Sequence, residues 1–401
     1  MKILVLNSGS SSLKYQVFDF PNSSPLCTGL VERIGLDGSK IKHRRFRDGG
    51  KEKFNFEEEI PNHEKGLMKV AHILLDPATG VLRDKEEVRA IGHRVVHGGE
   101  QFASTTLVTE EVKEKIEALI SLAPLHNPPN LLGIQVAERI FPEAKQVAVF
   151  DTAFHQTMPP KAYRFAIPKN LYQNMGIRAY GFHGSSHQYV SKIAIDYLRN
   201  PGAKLISIHL GNGSSVTAIH KGISIDHSMG LGPMGGLVMG TRCGDLDPSV
   251  IFHLINERGI AASELNDILN KQSGLQGLCG HSDMRDVKTA VSEADGDAML
   301  AYELYAYRIQ KYIGSYAATL NGIDAIIFTA GIGENDAEMR EKVCSNLDFL
   351  GIQIDRNLNQ IRISEPREIN RPDSKVKILV IPTNEELEIG EQTFRLVNAI
   401  K

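Results

Sequence analysis

A strand–turn–strand pattern occurs twice in this chain, at the N-terminus and about half a chain later. Residues 2–17 read KILVLNSGSSSLKYQV and residues 204–219 read KLISIHLGNGSSVTAI, each an apolar strand, a Gly/Ser-rich turn and a second strand. Aligning Gly9 with Gly213 gives a constant offset of 204 residues. Such a turn gathers backbone N–H groups and small hydroxyls around phosphate oxygens. One copy is equally well explained as a tight turn, but two predict a duplicated fold with phosphate bound between its halves.

Length and charge agree with a duplicated fold of ordinary composition. A chain of 401 residues is long for one core and suits two α/β domains of ordinary size. Lys and Arg number 45 against 48 Asp and Glu, for a net charge of -3. A protein without a basic surface lacks the electrostatic signature of nucleic-acid or anionic-membrane binding, so we expect small-molecule partners.

Cysteine spacing and hydropathy indicate the compartment. Four cysteines (Cys27, Cys243, Cys279 and Cys344) form neither a CxxC pair nor a zinc-binding pattern, which is typical of free thiols in a reducing cytosol. The chain begins directly with a predicted strand, and no apolar run is long enough to span a bilayer. We therefore expect a cytoplasmic protein that does not enter a membrane.

Periodicity predicts alternating strands and helices, the pattern of an α/β fold. The polar stretch from Gly38 to Phe56 is predicted to be an exposed hairpin, and the run APLHNPPN, residues 123–130, is predicted to be a non-helical loop because of its two prolines. Strands are predicted at 2–6, 13–20, 88–96, 144–150 and 325–329, and helices at 63–76, 110–122, 302–320 and 385–400.

Six ordered motifs resemble those of the acetate kinases. They are NSGSSSLK (7–14), HRVVHGG (93–99), GIRAYGFHGSSH (176–187), HLGNGSS (209–215), MGTRCGDLDP (239–248) and GIGEN (331–335). The resemblance implies the superfamily of sugar kinases, Hsp70 and actin, with two duplicated actin-like, ribonuclease H-like ATPase domains and a cleft between them. It assigns residues 1–150 and the C-terminal helix 385–401 to one domain, and 151–384 to a nucleotide-binding domain.

The implied reaction is reversible phosphoryl transfer from ATP to acetate, giving acetyl phosphate and ADP by direct in-line transfer. The acceptor needs no general base, because a carboxylic acid with a pKa of about 4 to 5 is ionised at neutral pH. It does need relief from repulsion by the γ-phosphate, a task for arginine. By resemblance, Arg94 binds the acetate carboxylate and Arg242 stabilises the transition state. Local sequence leaves a structural ion pair open for each arginine.

Further polar residues have implied roles in catalysis. Asp151 follows a predicted strand, where an Asx turn or helix N-cap is the alternative to a catalytic residue that holds the metal or orients the reactants. The resemblance makes His183 a γ-phosphate ligand, with help from His126. We interpret His187 as a residue at a helix start.

Metal and nucleotide ligands are also implied by the resemblance. Asn7 and Glu385 are expected to hold Mg²⁺, with Mn²⁺ as the alternative, although Glu385 also suits the start of a helix. The residues assigned to ATP are Lys14, His209, Leu210, Gly211, Asn212, Gly213, Asp283, Met284, Arg285, Gly331, Ile332, Gly333, Glu334 and Asn335.

The acyl pocket is assigned by the same resemblance to Val96, Leu125, Phe182 and Pro233, each of which would also suit an ordinary core. Cys243 departs from the serine common in this motif of the family it resembles, and the sequence leaves open whether a cysteine beside Arg242 is sensitive to thiol reagents. Two other patterns are set aside. Gly230, Gly232 and Gly235 spell GxGxxG without a strand-to-helix context, and Asp247 before Pro248 is better explained as a helix N-cap than as part of a metal pair with Asp245.

Two alternatives to acetate kinase activity are considered. A propionate or butyrate kinase would share the catalytic set, and Val96 favours acetate because a smaller residue would leave room for a longer acyl chain. An actin- or Hsp70-like ATPase that controls a protein partner would not need two arginines directed at a small anion. By resemblance we also expect a homodimer.

Overall fold

The computed structural model describes residues 1–47 and 49–400 and divides into two compact units. One unit comprises Met1–Phe154 with the C-terminal segment that begins at Asn384, and the other comprises His155–Thr383. The predicted domain boundaries, after 150 and 384, lie within a few residues of these limits. Assignment of nucleotide binding to the second unit stays a prediction.

The first unit is built on a mixed sheet. Its strands are β1 (Lys2–Ser8), β2 (Ser12–Asp19), β3 (Ser24–Glu32), β4 (Lys40–Arg47), β5 (Gly50–Glu57), β6 (Val88–Val95), β7 (Thr106–Leu107) and β8 (Lys145–Phe150). Their order is β5-β4-β3-β2-β1-β6-β8-β7, with β1, β6 and β8 parallel and the other neighbours antiparallel. The predicted hairpin after Gly38 is confirmed as β4 and β5, except for Asp48, which lies outside the described residues.

Helices cover both faces of this sheet. They are α1 (His63–Leu75), α2 (Glu110–Ala118), α3 (Asn127–Ile140) and α15 (Glu385–Ala399), with a 3-10 turn at Lys85–Glu87. Helices α1 and α3 pack on the face that carries Leu4 and Leu6, and α15 packs on the opposite face against Ile3 and Val5. The alternation of buried side chains along β1 therefore requires a helix on each side.

The prediction of a non-helical loop over residues 123–130 is wrong in its second half. Helix α3 begins at Asn127, and Pro128 and Pro129 occupy its first turn. Backbone N–H groups in the first turn have no partner within the helix, so prolines cost little there. His126 lies at the N-cap position of this helix.

The second unit is built on another mixed sheet. Its strands are β9 (Lys204–Leu210), β10 (Ser214–His220), β11 (Ile223–His227), β12 (Ala325–Thr329), β13 (Arg367–Glu368) and β14 (Lys377–Val380). Its helices are α4 (Pro160–Tyr163), α5 (Lys169–Met175), α6 (Gly184–Leu198), α7 (Pro248–Asn256), α8 (Ala262–Lys271), α9 (Gly274–Cys279), α10 (Met284–Ser292), α11 (Gly296–Leu320), α12 (Ala330–Asn335), α13 (Ala337–Cys344) and α14 (Arg356–Gln360). A further 3-10 turn lies at Asp348–Leu350, and the 3-10 turn Ala153–Thr157 begins in the first unit and ends in the second.

The two sheets share a topology. The second has the order β11-β10-β9-β12-β14-β13, which matches β3-β2-β1-β6-β8-β7 of the first, with the same parallel and antiparallel pairings. The predicted duplication and α/β class are confirmed.

The predicted constant offset of 204 residues is wrong. In the first hairpin Ser8 pairs with Leu13, so four residues form the turn, whereas Leu210 pairs with Ser214 and three residues form the second. Strands β1 and β9 begin at Lys2 and Lys204, an offset of 202. Because each turn repeats Gly and Ser, the sequence does not locate the last paired residue.

Alternation along β9 separates a core face from a polar face. Ile206 and Ile208 belong to the core formed with α11, whereas Ser207 and His209 face α6. The functional histidines described below are therefore brought together on the α6 side of the sheet.

No helix within residues 1–47 and 49–400 is both long and apolar enough to cross a membrane. The four cysteines are free thiols, as predicted, and Cys27 and Cys344 are buried. Asp247 caps α7 by accepting a hydrogen bond from the Ser249 N–H, which confirms its predicted structural role.

Candidate active site

Arg94 and Asp151 form a partly buried ion pair at one end of the first sheet. Arg94 lies near the end of β6 and Asp151 directly follows β8, so parallel neighbouring strands deliver both side chains to the same edge. The guanidinium donates from Nε and Nη2 to the two carboxylate oxygens at 3.1 and 2.5 Å, and from Nη1 to Asn7 Oδ1 at 3.2 Å. The side chain of Asp151 is 1% exposed and that of Arg94 is 20% exposed.

Acidic residues from α15 add negative charge around this pair. Burial lowers the pKa of Arg94, but the charges of Asp151 and Glu385 outweigh this and raise it overall. Burial raises the pKa of Asp151 and of Glu385, and Glu386 raises that of Glu385 further. Lys14, half exposed, donates to the buried carboxylate of Glu386 at 2.6 Å.

These residues are compatible with a divalent cation. Burial and mutual repulsion disfavour the ionised forms of Asp151 and Glu385, and a nearby cation would relieve both effects. Asn7 and Glu385 offer an amide and a carboxylate oxygen, the ligands that Mg²⁺ prefers. Among the described residues no group of three or more His, Cys, Asp or Glu is arranged to hold a metal, so a bound Mg²⁺ would keep several waters.

Two of the predicted acyl-pocket residues lie in the first unit. Val96, just beyond β6, is 5% exposed, and its N–H donates to Asn130 Oδ1 at 3.0 Å. Leu125 is 50% exposed and precedes α3. Their assignment to a methyl pocket stays a prediction.

In the second unit, three predicted residues converge on the turn between β9 and β10. A Cβ atom at Gly213 would lie 3.4 Å from His183 Nε2 and 3.7 Å from Arg242 Nη1. Glycine therefore leaves open the space in front of an imidazole edge and a guanidinium. Backbone N–H groups, an imidazole and a guanidinium around such a space suit an anion.

Arg242 differs from Arg94 in having no carboxylate partner. Its Nη1 donates to the Pro233 carbonyl at 3.0 Å, and no ion pair of Arg242 occurs within the described part of the chain. Burial lowers its pKa. Arg242 therefore retains a positive charge that no described side chain neutralises.

Phe182 and Pro233 are the predicted acyl-pocket residues of the second unit. Phe182 is 2% exposed and immediately precedes His183.

His183 is held by a serine and a second histidine. It occupies the N-cap position of α6 in the left-handed region, with a φ of 56°, and stacks on His209 with ring centroids 4.3 Å apart. Its Nδ1 lies 2.9 Å from Ser215 Oγ, and His209 Nδ1 lies 2.8 Å from Ser186 Oγ. The hydrogen bonds and stacking orient both rings.

His187 lies near the start of α6, which confirms its interpretation as a helix-start residue, but the sequence interpretation missed its hydrogen bonds. It lies one turn into α6, is fully buried, and bonds both Ser215 and Ser207. The four-residue spacing from His183 was an available signal, because residues at i and i+4 share a helix face.

A cavity of about 800 Å³ lies beside the turn of the second unit. It is lined by Gly211, Asn212, Gly240, Leu275, Ser282, Asp283, Met284, Arg285, Lys288, Gly331, Ile332, Asn335, Asp336 and Arg362. Eight of these were assigned to ATP from the sequence, and the other six, Gly240, Leu275, Ser282, Lys288, Asp336 and Arg362, were not. His209, Leu210, Gly213, Gly333 and Glu334 do not line the cavity, and Lys14 lies in the other unit.

The GIGEN motif, residues 331–335, lies within the short helix α12, Ala330–Asn335. Burial raises the pKa of Glu334, whose carboxylate accepts from the Thr383 N–H at 3.0 Å. Gly333 faces the backbone of Phe328. Both residues therefore support the helix, and Gly331, Ile332 and Asn335 line the cavity.

Asp283 caps α10 through the Arg285 N–H and pairs with the exposed Arg285 side chain. Its hydrogen bond to Arg285 lowers the pKa of Asp283 to about 2. Gly230, Gly232 and Gly235 lie in the irregular segment between β11 and α7, as expected for a glycine pattern that is not a dinucleotide fingerprint.

Known proteins resemble this chain along its entire length. The acetate kinase of Flavobacterium johnsoniae is 55% identical over 399 residues, which covers 99% of this chain and 100% of the relative. Among solved structures, that of Porphyromonas gingivalis acetate kinase has a TM-score of 0.92 at 43% identity, covering 99% of each chain. The structure of a propionate kinase from Francisella tularensis has a TM-score of 0.92 at 44% identity, covering 98% of this chain and 99% of that one.

The sequence model of the acetokinase family matches residues 2–391. The resemblance inferred from the six motifs is confirmed. A match of this extent, with relatives that align over their full length, shows that this chain belongs to the acetokinase family.

Proposed function

We propose that this protein transfers a phosphoryl group reversibly between ATP and acetate. The observation that carries the proposal is the convergence of His183 and Arg242 on the glycine of the β9–β10 turn, with Arg242 lacking a carboxylate partner among the described residues. A charge that no side chain neutralises suits the three equatorial oxygens of a transferring phosphoryl group. A relative named acetate kinase, 55% identical to this chain, supports acetate as the acceptor.

The chemical step needs no proton transfer. A carboxylate oxygen of acetate attacks the γ-phosphorus, the bond to the β–γ bridging oxygen breaks, and its electron pair leaves with ADP. We assign Arg242 and His183 to the phosphoryl oxygens, where charge stabilisation lowers the barrier. The backbone of the β9–β10 turn would hold the phosphates of ATP, and the cavity beside it would take the nucleoside.

We assign the first unit to the acceptor and the metal. Arg94 would offer its guanidinium to the acetate carboxylate while Asp151 fixes its orientation through two hydrogen bonds. Asn7 and Glu385 would hold a divalent cation, Mg²⁺ by preference and Mn²⁺ as a substitute. When bound, the cation neutralises charge on the nucleotide phosphates. Lys14, opposite Asn7 in the first hairpin, would contact a phosphate oxygen.

A propionate kinase is the second candidate, because a structure of that name from Francisella tularensis matches at 44% identity with a TM-score of 0.92. We propose acetate as the preferred substrate on the basis of the buried Val96 side chain. A homodimer and a cytoplasmic location are further proposals made from the family resemblance.

The test is a steady-state comparison of acetate, propionate and butyrate as acceptors, with the acyl phosphate trapped as a hydroxamate. We expect the highest kcat/KM for acetate and a decline with each added methylene. A higher kcat/KM for propionate would reverse the assignment. ADP formation that needs no carboxylate would instead favour a nucleotide-driven binding protein.

A further inference from the structure

Three buried residues form a hydrogen-bonded network behind His183. Ser215 Oγ lies 2.9 Å from His183 Nδ1 and 2.8 Å from His187 Nε2, and His187 Nδ1 lies 2.8 Å from Ser207 Oγ. We call Ser207, His187 and Ser215 the serine–histidine network. All three side chains are completely buried, and they come from β9, α6 and β10.

While its histidines are neutral, the network has two arrangements in which every bond points the same way. In a third, both histidines donate to Ser215 Oγ, and the Ser215 O–H is then the buried donor without an acceptor among the described residues. Burial lowers the pKa of His187, which therefore carries one ring N–H and one bare ring nitrogen. Each serine supplies one hydrogen. In the forward direction Ser207 donates to His187, His187 donates to Ser215, and Ser215 donates to His183 Nδ1. In the reverse direction His183 Nδ1 carries the proton and every bond is inverted.

Ser207 selects between these directions. Its hydroxyl makes no other hydrogen bond to residues 1–47 or 49–400. In the forward direction that hydroxyl donates to His187, and every hydrogen of the network has an acceptor. In the reverse direction the Ser207 O–H is a buried donor without an acceptor among the described residues, which costs free energy. The forward direction is therefore favoured.

We propose that the serine–histidine network holds neutral His183 as its Nε2–H tautomer, with Ser215 and His187 as positioning residues. Because Ser215 donates to Nδ1, the ring proton must be on Nε2. That nitrogen lies 3.4 Å from the Cβ position at Gly213, on the side where Arg242 also approaches. The inference rests on the proposed function in that this N–H is then donated to an oxygen of the transferring phosphoryl group.

A neutral donor has a chemical advantage at this position. Electrostatic stabilisation is most effective when a donor is already oriented before charge develops. A histidine of the opposite tautomer would present a lone pair to the phosphoryl oxygens and repel them. The direction of the Ser215 O–H therefore determines whether His183 attracts or repels the phosphoryl oxygens.

The direct test is the tautomer of His183 in the ligand-free protein. Long-range ¹H–¹⁵N spectra of protein labelled with ¹⁵N-histidine distinguish the two tautomers, and His183→Gln assigns the signal by its loss. We expect protonated Nε2 and bare Nδ1 at a pH where the ring is neutral. A proton on Nδ1 would overturn the proposal, and this result needs no variant of the network.

Kinetics test whether the network matters for the reaction. Ser215→Ala should lower kcat roughly 100-fold, the scale for a lost or reversed transition-state donor, and leave the KM for ATP within about twofold. It should also change the tautomer signal of His183, while Ser215→Thr, which keeps the hydroxyl, should restore both. Loss of kcat without a change of tautomer would contradict the proposal.

Ser224→Ala is the matched control, because Ser224 is also completely buried and its hydroxyl bonds a histidine, His155 Nδ1 at 2.9 Å, without belonging to the network. We expect it to leave the His183 tautomer and kcat unchanged. An effect equal to that of Ser215→Ala would mean that general loss of packing explains both.

His183→Ala separates this inference from the proposed function. Full kcat in His183→Ala, with the expected tautomer in the wild type, would support the network and contradict the catalytic role of His183. Loss of kcat in His183→Ala, with neither tautomer nor kcat changed in Ser215→Ala, would contradict the network alone.

Discussion

Arg94 and Arg242 are both partly buried arginines in family motifs, yet their surroundings differ in charge. Arg94 is held by both oxygens of Asp151 and lies among Glu385 and Glu386, which raise its pKa. Arg242 donates to a backbone carbonyl, and burial lowers its pKa. One guanidinium is neutralised and fixed in orientation, whereas the other keeps its charge for a ligand.

This difference suggests a division of labour. A fixed, neutralised arginine binds an anion through geometry and does not hold it too tightly, as suits a substrate such as acetate. A guanidinium without a carboxylate partner attracts the charge that develops in a transition state. If the division is right, substitutions at the two positions should separate kcat from the KM for acetate.

The largest effect is expected from Arg242→Lys, which keeps the charge but removes the planar donor fork. We expect kcat to fall roughly 10³-fold, with the KM for acetate changed by less than about threefold, because an interaction made in the transition state is lost from kcat. Steady-state kinetics at saturating ATP measure both. Arg258→Lys, at an exposed position, is the control, and near-normal kcat in Arg242→Lys would make that arginine structural.

Arg94→Lys should act mainly on substrate binding. We expect kcat/KM for acetate to fall about 10- to 100-fold, most of it through KM, because lysine cannot bond both Asp151 and a carboxylate as a fork does. The control is Arg89→Lys, an exposed position on the same strand. A loss confined to kcat would contradict the proposal that Arg94 acts on acetate binding and Arg242 on the transition state.

Val96→Ala tests whether Val96, in the first unit, determines the preference for acetate over propionate. Removing two methyl groups should raise the ratio of kcat/KM for propionate over acetate by about tenfold, since one methylene in an apolar pocket is worth about 1 to 3 kcal/mol. Val95→Ala is the matched control, because Val95 belongs to the core with Ile116 and Ile134. It should lower stability and leave the ratio unchanged. An equal change of the ratio in both variants would show that Val96 does not line the acyl pocket.

The smallest expected effect is on the pH dependence of the free energy of unfolding. Burial raises the pKa of Glu385 above its ordinary 4.5, so the folded protein binds this proton more tightly than the unfolded chain. Its contribution to stability is therefore present at low pH and is lost as pH rises from about 4.5 through the folded pKa. The loss is at most about 1.4 kcal/mol per pH unit, the slope for one proton.

Urea unfolding of the metal-free protein between pH 4 and 8 measures this contribution. Wild type should lose free energy of unfolding relative to Glu385→Gln as pH rises, and saturating Mg²⁺ should reduce the loss because the cation favours the ionised carboxylate. Glu391→Gln, on the same helix, should follow the wild type. Parallel pH profiles for wild type and Glu385→Gln would show that folding does not raise the pKa of Glu385.

Local sequence patterns predicted much of the secondary structure, because hairpins and helix ends depend on the chemistry of neighbouring residues. Alternation and Gly/Ser turns located the two hairpins, and Asp247 before Pro248 located a helix N-cap. Residues 127–130 were misassigned because proline is unfavourable inside a helix but compatible with its first turn, and only the helix start distinguishes the two.

The sequence predicted some residues of the candidate site and missed others. His183, Arg242 and the β9–β10 turn were identified through motifs, and the structure brings them together at Gly213. Lys288 and Arg362 carry no motif and reach the cavity only because separate elements pack beside the same turn. Glu334 belongs to a motif, yet its carboxylate bonds the Thr383 backbone away from the cavity.

The sequence by itself determined the duplicated α/β fold, the family and the identity of the charged and glycine residues at the site. These follow from short-range patterns of hydrophobicity and turn chemistry that each segment carries alone. Only the tertiary structure decided which arginine is neutralised and which serine holds which histidine. Asp151 reaches Arg94, and Ser215 reaches His183 and His187, across neighbouring strands and a helix. Charge pairing and hydrogen-bond direction depend on distances of about 3 Å between residues far apart in the chain, and no local pattern encodes those distances.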